Sequence, residues 1–459
     1  MSQQEFFIKA LLTRELESSI YDYKIGGVEI YNYLYRFVRI DYLRSKGFLF
    51  NGAYPKVPMR KKDRVIRALK SLGQILWAVF FVRRDNVIYT FRLDKVNGMY
   101  LDKFTDPVID DSDINKSYII METPNTGVHE KPRCHDNSVI YMDFVQWFVR
   151  FCARRFPKQI AKKHESEYKG LWERIDYVMQ GVEYDKKRYK IIVEKFLITS
   201  SIYAFIFKKL KAKTLIAASK THFPPQLFAA KLCGMKVCEL QHGLIWGDTL
   251  QYTVPDNELF VPDVFMLYGN MCPAEKFGVP KDRVKLLGYA FLNYIKSKSF
   301  SVDTNRKRVL IISDPTITGR VVDIVCELAD RYGEIEFDIR PHPMELFSDE
   351  LKEKMRNHSN IVVVDNKDNI LVALNGYESV LVGNSTVAYE ASALGKKVGK
   401  FYYPGFSPEY INEADEGAFW HVFDYTSFED FLFASSKRKE PLPYYSSYNR
   451  KVMNDFLKG

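Results

Sequence analysis

Residues 308–343 read RVLIISDPTITGRVVDIVCELADRYGEIEFDIRPHP. An apolar run at Arg308 to Ile312 is followed by an amphipathic stretch from Gly319 to Tyr332, then by a second strand-like run, Ile335 to Ile339. Short apolar runs without polar alternation mark strands buried on both faces, and a helical stripe between two of them marks a βαβ unit of a parallel sheet. The rhythm continues through helix Ser348–Asn357, strand Ile361–Val364, helix Asn369–Leu374, strand Ser379–Val382, helix Thr386–Leu394 and strand Lys397–Phe401. It is also present upstream, where strand Thr214–Ala218, helix Pro225–Leu232 and strands Lys236–Leu240, Val264–Tyr268 and Val284–Leu287 follow one another. The pattern predicts an α/β chain with two doubly wound, Rossmann-like domains and a cleft between them.

The N-terminal part is less regular. Residues 1 to about 72 read as helical and basic, with one stripe at Ile30, Leu34, Phe37 and Val38 and another at Val65, Ile66, Leu69, Leu72 and Leu76. Ala78–Val82 and Val87–Phe91 read as strands around a turn at Arg84-Asp85-Asn86, with further short strands at Tyr118–Met121 and Val139–Met142. Residues 143–210 alternate helical stripes with basic runs. Phe300 to Arg308 is polar and unpatterned, which places a linker there. The expected organisation is an N-terminal domain over 1–302, a nucleotide-binding domain over 303–436, and a tail over 437–459 whose helix packs elsewhere as an appendage.

Composition narrows the function classes. A chain of 459 residues, 46% hydrophobic and 15% aromatic, is too long for one compact core and too apolar for disorder. A net charge of +10 favours anionic partners such as nucleotides or phospholipid headgroups. Six scattered cysteines without CxxC spacing suit a reduced, cytosolic protein. The longest apolar run, Ile75–Val82, is far short of the ~20 residues of a spanning helix, so a soluble or peripheral protein is expected. No Walker motif, zinc-finger spacing or glycine-aromatic RNA signature is present, which argues against P-loop chemistry and against nucleic acid as a partner.

Polar clusters stand where the strands end. Gln241-His242-Gly243 follows Lys236–Leu240, Arg340-Pro341-His342-Pro343 follows Ile335–Ile339, and Asn384-Ser385-Thr386 follows Ser379–Val382. In an open α/β sheet that edge is where ligands bind. Arg340 offers a fork to phosphate, and His342 stands between two prolines as the local polar group. Asn384, Ser385 and Thr386 open a helix, where a plain cap or an anion site is the reading, and Glu390 one turn on faces either a ribose diol or solvent. His242 suits a general base or a phosphate contact, because an imidazole ordinarily titrates near neutrality. Asp102, Asp106 and Glu122 lie in the N-terminal half; Asp106-Pro107 and Glu122-Thr123-Pro124-Asn125 read as loops at strand ends, and either carboxylate is a further general-base candidate. Asp248 and Tyr252 lie close enough to His242 in sequence to reach the same site.

Leu240-Gln241-His242-Gly243, Tyr252, Pro262-Asp263, Gly269 and Leu287-Gly288 resemble bacterial surface-polysaccharide glycosyltransferases of the GT-B fold. So do Arg340-Pro341-His342-Pro343, Asn384-Ser385-Thr386, Glu390-Ala391 and Leu394-Gly395-Lys396-Lys397-Val398. The His-Pro dipeptide and a later Ser/Thr pair are similar to sialyl- and Kdo-transferases, where they bind CMP, and to teichoic-acid polyol-phosphate transferases. The last carry Trp-His-Gly where this chain has Gln241-His242-Gly243. The resemblance covers roughly 214–400, and it implies an acceptor-binding role for the domain over 1–302 and a helix in 437–459 that packs back on that domain. It implies His242 as base, His342 as phosphate contact, and Ser385 and Thr386 as the hydroxyl pair. It further implies a nucleotide-sugar donor (CMP-, UDP- or GDP-linked), a lipid-linked or oligosaccharide acceptor, and capsule, lipopolysaccharide or O-antigen assembly at an anionic membrane surface. No Asp-x-Asp clamp lies near the phosphate motifs, so a metal-independent enzyme without a resident cofactor is expected. Other readings are a CDP-polyol phosphotransferase, a sugar-nucleotide 2-epimerase and a non-catalytic nucleotide-sugar-binding partner.

Overall fold

The computed structural model describes residues 3–48, 59–123, 127–155, 164–243, 245, 252–269, 279–297, 307–314, 317–342, 345–383, 385–401, 419–433 and 444–458. Both expected domain boundaries, in 298–306 and 434–443, lie outside these residues. Strands are numbered along the chain: β1 Asn86–Thr90, β2 Asp94–Val96, β3 Met99–Leu101, β4 Tyr118–Glu122, β5 Val139–Tyr141, β6 Thr214–Ala218, β7 Lys236–Leu240, β8 Val264–Leu267 and β9 Val284–Leu286. β10 Lys307–Ile312, β11 Ile335–Arg340, β12 Ile361–Val363, β13 Ser379–Val382, β14 Lys397–Phe401 and β15 Trp420–Val422 follow.

Among the described residues, seven strands form one parallel sheet in the order β5-β4-β1-β6-β7-β8-β9, and six form a second in the order β12-β11-β10-β13-β14-β15. Both sheets grow outward from their first strand and then reverse, as doubly wound sheets do. The reversal lies between β1 and β6 in the first sheet and between β10 and β13 in the second. The α/β, doubly wound expectation therefore holds for both halves.

Each sheet buries both faces. Along β1, Val87 and Tyr89 pack against the helices Lys61–Phe81, Asp143–Arg155 and Lys186–Leu210, while Ile88 points into the opposite core. That opposite core runs on through Met266 and Leu287 into Leu310, Ile312, Val380 and Val382 of the second sheet, so one apolar cluster joins the two units. A further core holds the N-terminal helices Gln3–Glu17 and Tyr31–Ser45 against Glu165–Met179 and Lys186–Leu210. At its centre Arg39 Nη2 lies 2.6 Å from Glu15 Oε2, with the Tyr21 and Tyr31 hydroxyls donating to the same carboxylate at 2.8 and 2.9 Å.

Two local expectations need correction. Ala78–Val82 is not a strand: a single helix runs from Lys61 to Phe81. Ala78 and Val79 lie three and four residues after Ile75 and share its buried face, so the helical period continues through the apolar run. The sequence 94–101, left unassigned above, forms the antiparallel hairpin β2–β3. Its turn is Asn97-Gly98, both with positive φ (50° and 82°), the backbone that a two-residue hairpin loop needs.

The chain's last described segment lies against the first unit. Ser446 N–H donates to Tyr268 C=O at 2.7 Å, Asp113 N–H donates to Asn454 Oδ1 at 2.8 Å, and Arg450 pairs with Asp113 at 3.6 Å. Gly288 makes the crossing possible. Its φ is +80°, and a Cβ there would stand 2.2 Å from the Ser447 carbonyl oxygen.

Candidate active site

The carboxyl ends of the two sheets face each other across a cleft of about 550 Å³. From the first unit it is lined by Arg92 and Leu93 just past β1, Asp94 and Lys95 of β2, Tyr100, Lys103, Phe104, Glu122, Glu130, His242 and Gly243. The second unit contributes Ile312, Arg340, Pro341, His342, residues 366–370, Ser385, Thr386, Val387 and Glu390. The hairpin closes one side. Lys95 pairs with Asp368 in a parallel bridge, and Asn369 N–H donates to Lys95 C=O at 2.8 Å.

His242 sits at this junction with Gly243 beyond it at φ +72°. Its ring lies 5.0 Å from Phe104 and 5.6 Å from His222, which itself stacks on Phe91 at 4.0 Å. Burial, then the neighbouring His222, Lys103 and Arg92, push its pKa down to about 3. His222 is likewise pushed down to about 4, by burial and then by Arg36 and Arg92. The ordinary value assumed from the sequence is therefore corrected: His242 is a neutral imidazole in the free protein at pH 7, because the fold buries it away from water and then places Lys103 and Arg92 beside it.

The carboxylate candidates separate. Glu122 ends β4, lines the cleft and is 2% exposed. Its Oε2 accepts from Arg133 Nε at 2.7 Å and its Oε1 contacts His129 Nδ1 at 2.5 Å. His129 Nε2 in turn contacts Asp143 Oδ2 at 2.6 Å, and Asp143 Oδ1 accepts from Arg67 at 2.7 Å. Burial alone would lower the His129 pKa, but its bonds to Asp143 and Glu122 outweigh this and raise it. Asp106 does not reach the cleft. It is 2% exposed behind Asp102, whose amide donates to its Oδ2 at 3.0 Å, and burial pushes its pKa up to about 7. Asp102 is also withdrawn, accepting from Thr90 Oγ1 and the Phe104 amide. The sequence reading put Asp106 on a loop at a strand end; it instead opens the short helix Asp106–Asp110 and is buried there. Tyr252 is fully buried and donates to Glu239 Oε1 at 2.8 Å, so it serves the interior and not the cleft. Asp248 lies outside the described residues.

In the second unit, Arg340, His342, Ser385, Thr386 and Glu390 converge on the cleft, and Asn384 lies outside the described residues. Arg340 Nη1 donates to the Asp365 carbonyl at 3.2 Å and its Nη2 to the Asp368 carbonyl. Its fork therefore holds the 365–369 loop in place. The His342 amide donates to Ser313 Oγ at 2.8 Å, which fixes the strand exit. Ser385 Oγ accepts from the Val387 amide at 3.3 Å. Glu390 is 8% exposed and no side-chain hydrogen bond ties its carboxylate to any described residue. Burial raises its pKa, with Lys103 opposing, Asp94 adding and Arg92 opposing. The sequence reading missed Arg92, Asp94, Lys95 and Lys103. The strand-end rule that found His242 would have found Arg92 to Lys95, since they follow β1 directly. Among the described residues no group of three or more His, Cys, Asp or Glu side chains is placed to hold a metal ion.

No family model matches the chain, and no curated protein matches its sequence. Solved structures do resemble it. UDP-GlcNAc 2-epimerase from Methanocaldococcus jannaschii superposes with a TM-score of 0.50 at 12% identity, covering 82% of this chain and 99% of that one. The Neisseria meningitidis UDP-GlcNAc 2-epimerase bound to UDP-GlcNAc gives 0.48 at 13% identity over 81% and 99%, and Acinetobacter baumannii MurG 0.36 at 10% over 82% and 90%. At these identities the likeness is one of fold: the architecture is GT-B, two Rossmann-like units with a cleft between them.

Proposed function

We propose that this GT-B chain is a nucleotide-sugar-dependent glycosyltransferase, with the donor on the second unit and the acceptor on the first. One observation carries the reading. Groups from strand ends far apart in sequence, His242 and Glu122 on one side and His342, Ser385, Thr386 and Glu390 on the other, line a single cleft of about 550 Å³. The size and the mixture of hydroxyl, imidazole, carboxylate and cation suit a sugar linked to a nucleotide. Glu390 would accept from the ribose diol. His342, Ser385 and Thr386 would donate to phosphate oxygens, with Lys95, Lys103 and Lys367 supplying positive charge at the cleft wall. The leaving phosphate is then neutralised by side chains, which is why we infer a metal-independent transfer. Arg340 positions the loop that carries Lys367.

In an inverting transfer the acceptor oxygen attacks the anomeric carbon, the bond from that carbon to the phosphate oxygen breaks, and the hydroxyl proton passes to a base. His242 fits this role conditionally. Its low pKa in the free protein comes from burial and from the cations around it. An anionic donor beside Lys103 and Arg92 would offset those cations and raise the basicity of His242 part of the way, while the effect of burial stays. The acceptor would be a lipid-linked or oligosaccharide glycan of bacterial capsule or lipopolysaccharide assembly, taken up at the cytoplasmic face of the cell membrane.

A thermal-shift screen against UDP, CMP, GDP and CDP, followed by donor hydrolysis assays with the matching sugars, tests the reading. A nucleotide at about 100 times its dissociation constant should stabilise by ~2.7 kcal/mol. Absence of any shift removes the proposal. Binding without turnover in the presence of glycan acceptors identifies a silent binding partner; epimerisation of the donor, or transfer of a polyol phosphate from a CDP donor, identifies a different enzyme on the same fold.

A further inference from the structure

The helix Lys61–Phe81 carries an apolar stripe on the side that faces away from the protein. Its inner face, Ala68, Ser71, Ile75, Ala78 and Val79, is buried against the first sheet and its covering helices. The opposite face presents Val65, Ile66, Leu69, Leu76, Trp77 and Phe80 at 40–64% exposure. These positions recur at three- and four-residue spacing, so they form one line along about 30 Å of helix. A surface helix ordinarily turns polar residues outward. The neighbouring helix, Asp143–Arg155, continues the surface with Trp147, Phe148 and Phe151, where Phe144 stacks on Phe148 at 5.8 Å and Trp147 on Phe151 at 5.7 Å. The two helices are pinned side by side through Ser71, whose hydroxyl donates to the Tyr141 carbonyl at 2.5 Å and accepts from the Phe144 amide at 3.1 Å.

Charge identifies what covers this face. Lys61, Lys62, Lys70 and Arg150 are exposed beside the stripe, and none forms an ion pair with a described residue. The acidic side chains of the two helices are engaged, Asp63 with Arg60 at 2.8 Å and Asp143 with Arg67 at 2.7 Å. A second copy meeting this face about a two-fold axis would bring the same cations against one another. A nucleic acid would satisfy the cations but not a line of valine, isoleucine and leucine. Aliphatic and aromatic side chains flanked by free lysine and arginine are what a helix lying in the plane of an anionic bilayer presents. Among the described residues no helix is long and apolar enough to cross a membrane.

We propose that the paired faces of helices 61–81 and 143–155 dock the protein flat on an anionic lipid surface, with Trp77, Phe80, Trp147 and Phe151 inserted among the headgroups. Both helices start at the edge of the sheet that bears the cleft. Arg67 and Asp143, at those ends, connect through His129 to Glu122 in the cleft wall. The docked surface therefore lies beside the acceptor half of the site. That last use rests on the function proposed above, whereas the docking itself does not.

Flotation of the full chain with phosphatidylcholine vesicles, with and without about 30% phosphatidylglycerol, decides it. The wild type should float with the anionic vesicles alone, be released by high salt, and show a blue-shifted tryptophan emission when bound. The variants Trp77→Ser/Phe80→Ser and Lys62→Glu/Lys70→Glu should each partition at least about tenfold more weakly while unfolding as the wild type does, since every altered side chain is exposed. Wild-type levels of flotation by the folded Trp77→Ser/Phe80→Ser variant would overturn the proposal. So would equal or absent binding to both vesicle types, or a wild-type dimer that this variant dissociates. Nucleotide binding by the same variants should be unchanged, so a failure here and a failure of the donor-site reading are read separately.

Discussion

Glu390→Gln should make the free protein more stable and its nucleotide complex weaker. The side chain leaves the short helix Val387–Ala393, is 8% exposed in the cleft, and has no hydrogen bond to a described residue. Its pKa is raised chiefly by burial. The sign follows directly. A carboxyl whose folded pKa lies above its unfolded value, ~4.3, stabilises the folded state below that value and loses the contribution as pH rises through the folded pKa. At neutral pH wild-type Glu390 is thus held at a cost that glutamine avoids. With a nucleotide bound the balance reverses, because a carboxylate accepting from a ribose diol makes hydrogen bonds assisted by charge. Losing one such bond costs about 1.5–3 kcal/mol, or roughly 10- to 150-fold in dissociation constant. Titration calorimetry with the best nucleotide of the screen, and urea unfolding across pH 5–8, measure the two effects. The 2′-deoxynucleotide should bind the wild type and the variant with similar affinity. The reasoning is refuted if Glu390→Gln binds the ribonucleotide as tightly as wild type, or if it weakens binding only in proportion to a loss of stability in the free protein.

Four further outcomes are expected. His342→Ala should weaken nucleotide binding by roughly 1.5–3 kcal/mol in the same calorimetric assay, with no change in the unfolding midpoint. His242→Ala should lower turnover by ~10² or more with nucleotide affinity nearly intact; reduced affinity with turnover retained would make it a donor contact instead. The ion chain around His129 should give stability an optimum: His129, with its raised pKa, contributes below its ordinary ~6.5 and loses this as pH rises through its folded value, whereas Asp143, with a lowered pKa, loses its contribution as pH falls through its own. His129→Gln should flatten both limbs of a urea-midpoint-against-pH profile. Arg39→Met leaves the Glu15 carboxylate buried without its partner and should destabilise by about 3–5 kcal/mol in equilibrium unfolding.

What the sequence disclosed depended on how far each feature was local. Parallel strands buried on both faces appear as uninterrupted apolar runs, and the first residues after them fall at the ligand-binding edge, so His242, Arg340, His342 and Ser385 could be found without knowing the fold's details. The same logic was available for Arg92 to Lys95 after β1, and Asn97-Gly98 announced the hairpin that carries Asp94 and Lys95; both signals were simply short. Ala78–Val82 misled because an apolar run of five has no period of its own, and only the buried stripe leading into it from Ala68 fixes it as helix.

Other features have no local signature at all. The chain from Arg67 through Asp143 and His129 to Glu122 draws on two helices, a loop and a strand end, each an ordinary surface residue by sequence. The state of His242 is set by its burial and then by His222, Lys103 and Arg92, brought to it by three different connections. That dependence carries a functional argument. An isolated strand-end histidine would be half-protonated near neutrality whether or not substrate were present. In this cleft burial first, and then Lys103 and Arg92, hold the imidazole neutral; under the proposed function the same two cations would face the donor's phosphates, so donor binding would offset part of what suppresses the base. An acceptor hydroxyl arriving first would meet a weak base. Under the proposed function the expected outcome is an ordered reaction, donor before acceptor, which initial-rate kinetics with both substrates varied would check; a random order would refute the coupling of histidine and phosphate contacts.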